Sequence, residues 1–268
     1  MAPEIKSIEL PTGVTLQYVE QGDPAAVPIL LLHGLSDSWH SYERVLPHLP
    51  MSIRAFALTL RGHGDSSRPE VGYRFQDYAA DVTAFMDVLH VEAAIILGHS
   101  LGSSVAQRFA LAHPERTLGL VLVAAFASLP KGPVARELSE MVSTMKDPVD
   151  PGFVREFQES TLARPVPQAF FETIVQESLK LPAHVWRAAV AGSLEDDFSG
   201  ELSKIKAPTL FVWGDQDEMV PRTDQDAQTA VIAGSRLVVY PGVGHGVHWE
   251  EPERFASDVV NFIETIGK

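Results

Sequence analysis

The chain of 268 residues has no cysteine. That absence removes disulfides, thiolate nucleophiles, iron–sulfur ligation and cysteine-based zinc sites together. It agrees with a reducing compartment, and a cytoplasmic location is expected. Positive charge is scarce: 21 Lys and Arg stand against 35 Asp and Glu, for a net charge of −14. A field of this sign repels polyanions, so no nucleic-acid partner is expected. Long apolar runs are missing too. The longest, residues 118–129, falls short of the about 20 residues that span a bilayer. The first ten residues lack the basic segment and apolar stretch of a secretory signal. No membrane insertion is expected, and no histidine pair has the spacing of a metal site.

An apolar fraction of 45% and a charged fraction of 21% are those of a globular protein. Residues 5–10 and 15–21 are β-type segments joined by Pro11-Thr12-Gly13, which predicts an antiparallel edge. Residues 27–32, 52–60, 93–97, 118–124, 209–213 and 236–240 are compact apolar runs, the mark of strands buried on both faces. Between them Phe75, Tyr78, Val82, Phe85, Met86 and Leu89 recur at helical spacing, as do Leu101, Val105, Phe109 and Ala112. A closing helix is predicted from Phe255, Val259, Phe262, Ile263 and Ile266. The strand–helix alternation stops between residues 127 and 200, where prolines punctuate short helical pieces. The expected architecture is α/β: a mostly parallel sheet with helices on both faces and an inserted helical segment. The core domain would comprise residues 1–126 and 201–268, and the insertion residues 127–200.

Open α/β sheets place ligands at the C-terminal ends of their strands. Gly98-His99-Ser100-Leu101-Gly102 stands at such an end, between a predicted strand and a predicted helix. A sharp turn there lifts Ser100 clear of the backbone at a helix N-terminus, where developing negative charge is favoured. A serine hydroxyl is a weak nucleophile at neutral pH and needs an adjacent imidazole. His245 is the leading candidate, on the glycine-rich loop 241–246 after the last strand, with His248 its rival. An acid must orient the base, and the loop after the preceding strand carries Asp217, with Asp215 and Glu218 as rivals. The strand before that ends in Ala124-Ala125-Phe126 and carries no carboxylate. The backbone N–H groups of Leu35, after His33-Gly34, and of Leu101 are candidate oxyanion donors. Ser36, Trp39, Phe126, Met141, Met145 and Trp186 are the candidate substrate-pocket residues.

These stretches, with Arg61-Gly62-His63-Gly64-Asp65-Ser66 and with Glu250 and Pro252 after His245, resemble the α/β-hydrolase family, in particular its small esterase-like members with a helical cap. The resemblance implies Ser100 as nucleophile, Asp217 as acid, His245 as base and Leu35 and Leu101 as oxyanion donors. It makes residues 127–200 the cap. It implies hydrolysis of an ester or lactone of a small, largely apolar substrate, without metal or organic cofactor. Carbon–carbon bond hydrolases, cofactor-free haloperoxidases and small-molecule receptors share the same motifs. Ser103 stands where many relatives have a second glycine, and Thr59 where many have aspartate. Serine at position 100 argues against the haloalkane dehalogenases and epoxide hydrolases, which use aspartate there.

Overall fold

A computed structural model describes residues 3–128 and 133–266. Residues 129–132, which include Pro130 of the expected insertion, lie outside the described residues. Eight strands form one sheet: β1 (Ile5–Glu9), β2 (Thr15–Gln21), β3 (Val27–Leu32), β4 (Ile53–Thr59), β5 (Ala94–His99), β6 (Thr117–Val123), β7 (Thr209–Gly214) and β8 (Arg236–Tyr240). Their order is β1-β2-β4-β3-β5-β6-β7-β8. The first two strands pair antiparallel at one edge, β2 is antiparallel to β4, and the other pairings are parallel.

The apolar runs become strands because both of their faces are covered. In β3, Leu30 and Leu32 pack on one side with Phe56 and Leu58 of β4. Ile29 and Leu31 pack on the other with Ala55 and Ala57. Two helices, α1 (Phe75–Val88) and α2 (Leu101–Ala112), cover the first side through Phe75, Val82, Phe85, Val105 and Phe109. The last helix, named α9 below, covers the second through Phe255, Val259 and Phe262. Alternate residues of one strand thus serve two cores. At the edge, β1 alternates exposed with half-buried positions, and its Lys6 pairs with Glu20 at 2.9 Å. A charged edge of this kind resists pairing with another chain.

Between β6 and β7 lie, among the described residues, four α-helices: α3 (Pro133–Ser143), α4 (Pro151–Glu159), α5 (Gln168–Leu179) and α6 (Ala183–Glu195). They form the inserted helical region. After β7 come α7 (Arg222–Val231), α8 (Val247–Glu250) and α9 (Pro252–Ile266). No apolar periodicity marks α7. Its buried positions are Gln225 and Gln228, whose amides both donate to the carbonyl of Ala125, at 2.8 and 2.7 Å. That carbonyl follows the end of β6 and would otherwise be left unpaired in the interior. Among the described residues no helix is long and apolar enough to cross a membrane.

Candidate active site

Ser100 joins β5 to α2 with φ +51° and ψ −119°, a backbone conformation that side chains rarely adopt. The surrounding contacts over-determine it. The Ser100 N–H donates to Val123 O at 2.9 Å, and Ser103 donates to Ser100 O through both its N–H, at 2.8 Å, and its hydroxyl, at 2.6 Å. Ser103 therefore braces the turn. The flanking glycines are steric necessities. A Cβ on Gly98 would collide with the carbonyl of Gly102, and one on Gly102 with the carbonyl of Leu32. Neither obstacle is a flexible side chain. Gly102→Ala should therefore unfold the protein or displace the turn, with loss of soluble yield or of roughly 3 kcal/mol or more. Thermal denaturation of the purified variant measures it.

At the neighbouring strand ends, Asp217 follows β7 and His245 follows β8. Asp217 Oδ2 lies 2.9 Å from His245 Nδ1, and both residues are buried. The other carboxylate oxygen, Oδ1, accepts the N–H groups of Met219 and Val220, each at 2.9 Å. Three contacts thus fix one carboxylate. Asp215, the rival acid, is exposed and accepts the Gly242 N–H at 2.6 Å, tying the loop below the imidazole. Hydrogen bonds from the Gln216 side chain and from Gly242 lower its pKa. Glu218 is exposed. His248 is buried with Nε2 2.9 Å from Ser41 Oγ, so it packs beneath the site.

Ser100 and His245 line the same cavity, of about 30 Å³. Leu35, Phe157, Met219 and Trp249 supply its apolar wall, and Asp37, Gln158 and Thr161 its polar one. Leu35 lies in the loop after β3, following His33 and Gly34. Leu101 opens α2, where first-turn N–H groups have no partner within the helix. The loop beside Leu35 is held from the inserted region. Ser36 has φ +68°. Gln158 of α4 donates to Ser36 Oγ at 3.0 Å and to Ser178 Oγ of α5 at 2.6 Å, and Ser178 donates to Ser36 O at 3.0 Å. All three side chains are buried.

Charge is costly in this interior. Burial raises Asp37 to about 7, against hydrogen bonds from Gln158 and Ser41 and the nearby His245. Burial also drives His99 well below its ordinary value, with His248 and His245 adding in the same direction. His248 is lowered to about 3 by burial and then by His245.

None of the six expected pocket residues lines this cavity. Trp39 belongs to the 3-10 turn Trp39–Tyr42 and packs into the core on the far side of the sheet. Phe126 meets Phe75 edge-on, with ring centroids 6.0 Å apart. Trp186 is fully buried between α4 and α6, edge-on to Phe157 at 5.2 Å. Met141 and Met145 line a separate cleft of about 290 Å³ with Phe153 and Pro148. Ser36 borders the site through Gln158. Sequence reasoning missed Asp37, Phe157, Gln158, Thr161, Met219 and Trp249. Asp37 alone carried a usable signal, as a carboxylate three residues beyond Gly34 in the loop after a buried strand.

A family model described as the alpha/beta hydrolase fold matches residues 27–252. A non-heme chloroperoxidase from Streptomyces lividans is 28% identical over 94% of this chain and 97% of its own. An esterase from a Rhodococcus species superposes with a TM-score of 0.87 at 29% identity, covering 98% of this chain and 99% of its own. A hydrolase from Pseudomonas aeruginosa gives 0.86 at 27% identity, covering 98% and 99%.

Proposed function

The chain belongs to the alpha/beta-hydrolase family and is a hydrolytic enzyme with a Ser/His/Asp-type arrangement, and from that premise we propose that it cleaves a carboxylic ester or lactone of a small, largely apolar substrate through an acyl-enzyme. The observation that carries this reading is one cavity shared by the strained Ser100 turn and an imidazole bonded to a buried carboxylate. The inserted helices α3 to α6 act as the cap over it.

Ser100 Oγ attacks the substrate carbonyl as His245 Nε2 takes its proton. Asp217 holds Nδ1–H, fixing the tautomer that leaves Nε2 free to accept, and stabilises the imidazolium. The tetrahedral oxyanion sits against the N–H groups of Leu35 and Leu101. His245 then protonates the departing alcohol and activates water, which releases the acid and restores Ser100. Leu35, Phe157, Met219 and Trp249 offer the acyl group an apolar wall.

Initial rates on p-nitrophenyl acetate and butyrate test the reading, since Ser100-dependent release of p-nitrophenol is expected. Asp217→Asn should lower kcat by roughly 10³–10⁴ with the fold intact, because the amide favours the wrong imidazole tautomer. Asp215→Asn should change kcat less than about tenfold, since its carboxylate meets only loop groups. The reverse ranking would move the acid to Asp215. A second reading is favoured by the likeness to a relative named a non-heme chloroperoxidase: hydrogen peroxide would replace water in deacylation and yield a peracid. Peracid formed from an ester and peroxide, lost in Ser100→Ala, would establish it.

A further inference from the structure

One polar atom at the cavity is unaccounted for. His99 Nε2 lies 3.2 Å from the carbonyl of His245. A carbonyl only accepts, so Nε2 carries the proton and Nδ1 is a bare acceptor in the neutral ring. Nδ1 is buried and has no hydrogen-bond partner among the described residues. Asp37 Oδ2 lies 4.0 Å from it, too far for a direct bond. His99 and Asp37 both line the cavity that holds Ser100 and His245. The space between them is kept open by glycine. A Cβ on Gly34 would stand 2.9 Å from His99 Nδ1 and 3.2 Å from Asp37 Oδ2.

An oxygen within about 2.9 Å of both atoms fits this gap, roughly 2 Å off the line that joins them. Nδ1 needs a donor, so a carbonyl or ether oxygen cannot satisfy it. A hydroxyl can, giving its proton to Nδ1 and accepting one from the Asp37 carboxyl. Burial favours the protonated form of that carboxyl below about pH 7. Gln158 from α4, His245, the Gly34 backbone and Ser41, which has His248 behind it, favour the ionised carboxylate, and burial outweighs them; the buried Tyr42 hydroxyl and His99 also face the group.

We propose that Asp37 and His99 form a hydroxyl-binding subsite beside Ser100, selecting esters whose acyl group carries a hydroxyl close to the scissile carbonyl, with 2-hydroxyacyl esters as the substrate class. This rests on the ester-hydrolase reading and adds the identity of the acyl group. A buried hydrogen bond gained in the complex corresponds to about tenfold in kcat/KM.

The experiment compares methyl glycolate with methyl acetate, and methyl lactate with methyl propionate, by pH-stat at pH 6. Each pair is corrected for its alkaline-hydrolysis rate. A corrected preference of about tenfold for the hydroxy ester is expected, falling toward one in Asp37→Leu. In Asp37→Asn, whose amide still donates, it is expected to be partly kept. The ratio within one variant is insensitive to the fraction folded. In parallel, Ser100→Ala is titrated with methyl glycolate and methyl acetate by ligand-observed NMR, where tighter glycolate binding is expected. A wild-type ratio near one with no binding preference means that water alone fills the gap, and overturns the subsite. A preference that survives Asp37→Leu overturns it as well. Loss of all Ser100-dependent turnover would sink the hydrolase reading instead, and the binding arm would still decide the subsite.

Discussion

Ser100→Ala and Ser100→Gly should both reduce ester turnover by about 10⁴ or more, yet differ in stability. Loss of the attacking oxygen leaves only residual catalysis from the oxyanion donors and binding, so kcat falls by orders of magnitude in either variant. Alanine keeps the Cβ at φ +51° and so keeps the strain. Glycine adopts that region freely, and removal of the strain should stabilise the fold by about 1 kcal/mol. Ser100→Gly should therefore melt a few degrees above Ser100→Ala. Thermal scans of the two inactive proteins read this directly. A glycine variant no more stable than the alanine one would mean that the turn stores no strain.

The second large effect is acid sensitivity. His33, His63, His99 and His248 are all buried. Burial lowers His63 to about 4 and His248 to about 3, and holds His33 and His99 well below the ordinary imidazole value. In the unfolded chain each binds a proton near pH 6.5. Between that pH and the folded value, the unfolded state holds more protons, so stability rises with pH and is lost on acidification. At pH 4.5, His63 and His248 each contribute roughly 2–3 kcal/mol of loss, a large share of a typical total of about 5–15 kcal/mol. Asp37 acts oppositely. Raised to about 7, it binds its proton more readily when folded, so its contribution improves as pH falls from 7 toward 4. A steep net fall in melting temperature is expected from pH 6.5 to 4.5. Asp37→Asn should be more stable than wild type at pH 8, by up to about 4 kcal/mol, with the advantage gone near pH 4. A melting temperature flat across that window would refute the neutral-histidine account.

The strands were legible because burial on both faces leaves no choice but continuous apolar runs, as in β3 and β5. The Ser100 turn was legible because its requirements are local: two backbone approaches that exclude a Cβ at Gly98 and Gly102. Asp217 and His245 were chosen from their positions after β7 and β8, and the structure adds the burial of Asp217 and its 2.9 Å contact with His245, while Asp215 is exposed. The walls of the cavity were not legible. Phe157, Gln158 and Thr161 arrive from α4 and its C-terminal edge, and their placement depends on how the inserted helices rest on the sheet. Helix α7 was hidden for a related reason. Its inward side is glutamine, because what it meets there is a carbonyl rather than an apolar surface.

The contact of Gln158 and Ser178 with Ser36 bears on how such enzymes diversify. Because two helices of the insertion hold the backbone next to Leu35, exchanging this segment for that of a relative alters the hydrogen bonding around the reacting carbonyl as well as the shape of the chamber. A graft that omitted the glutamine and serine would acquire new walls around a loosened centre.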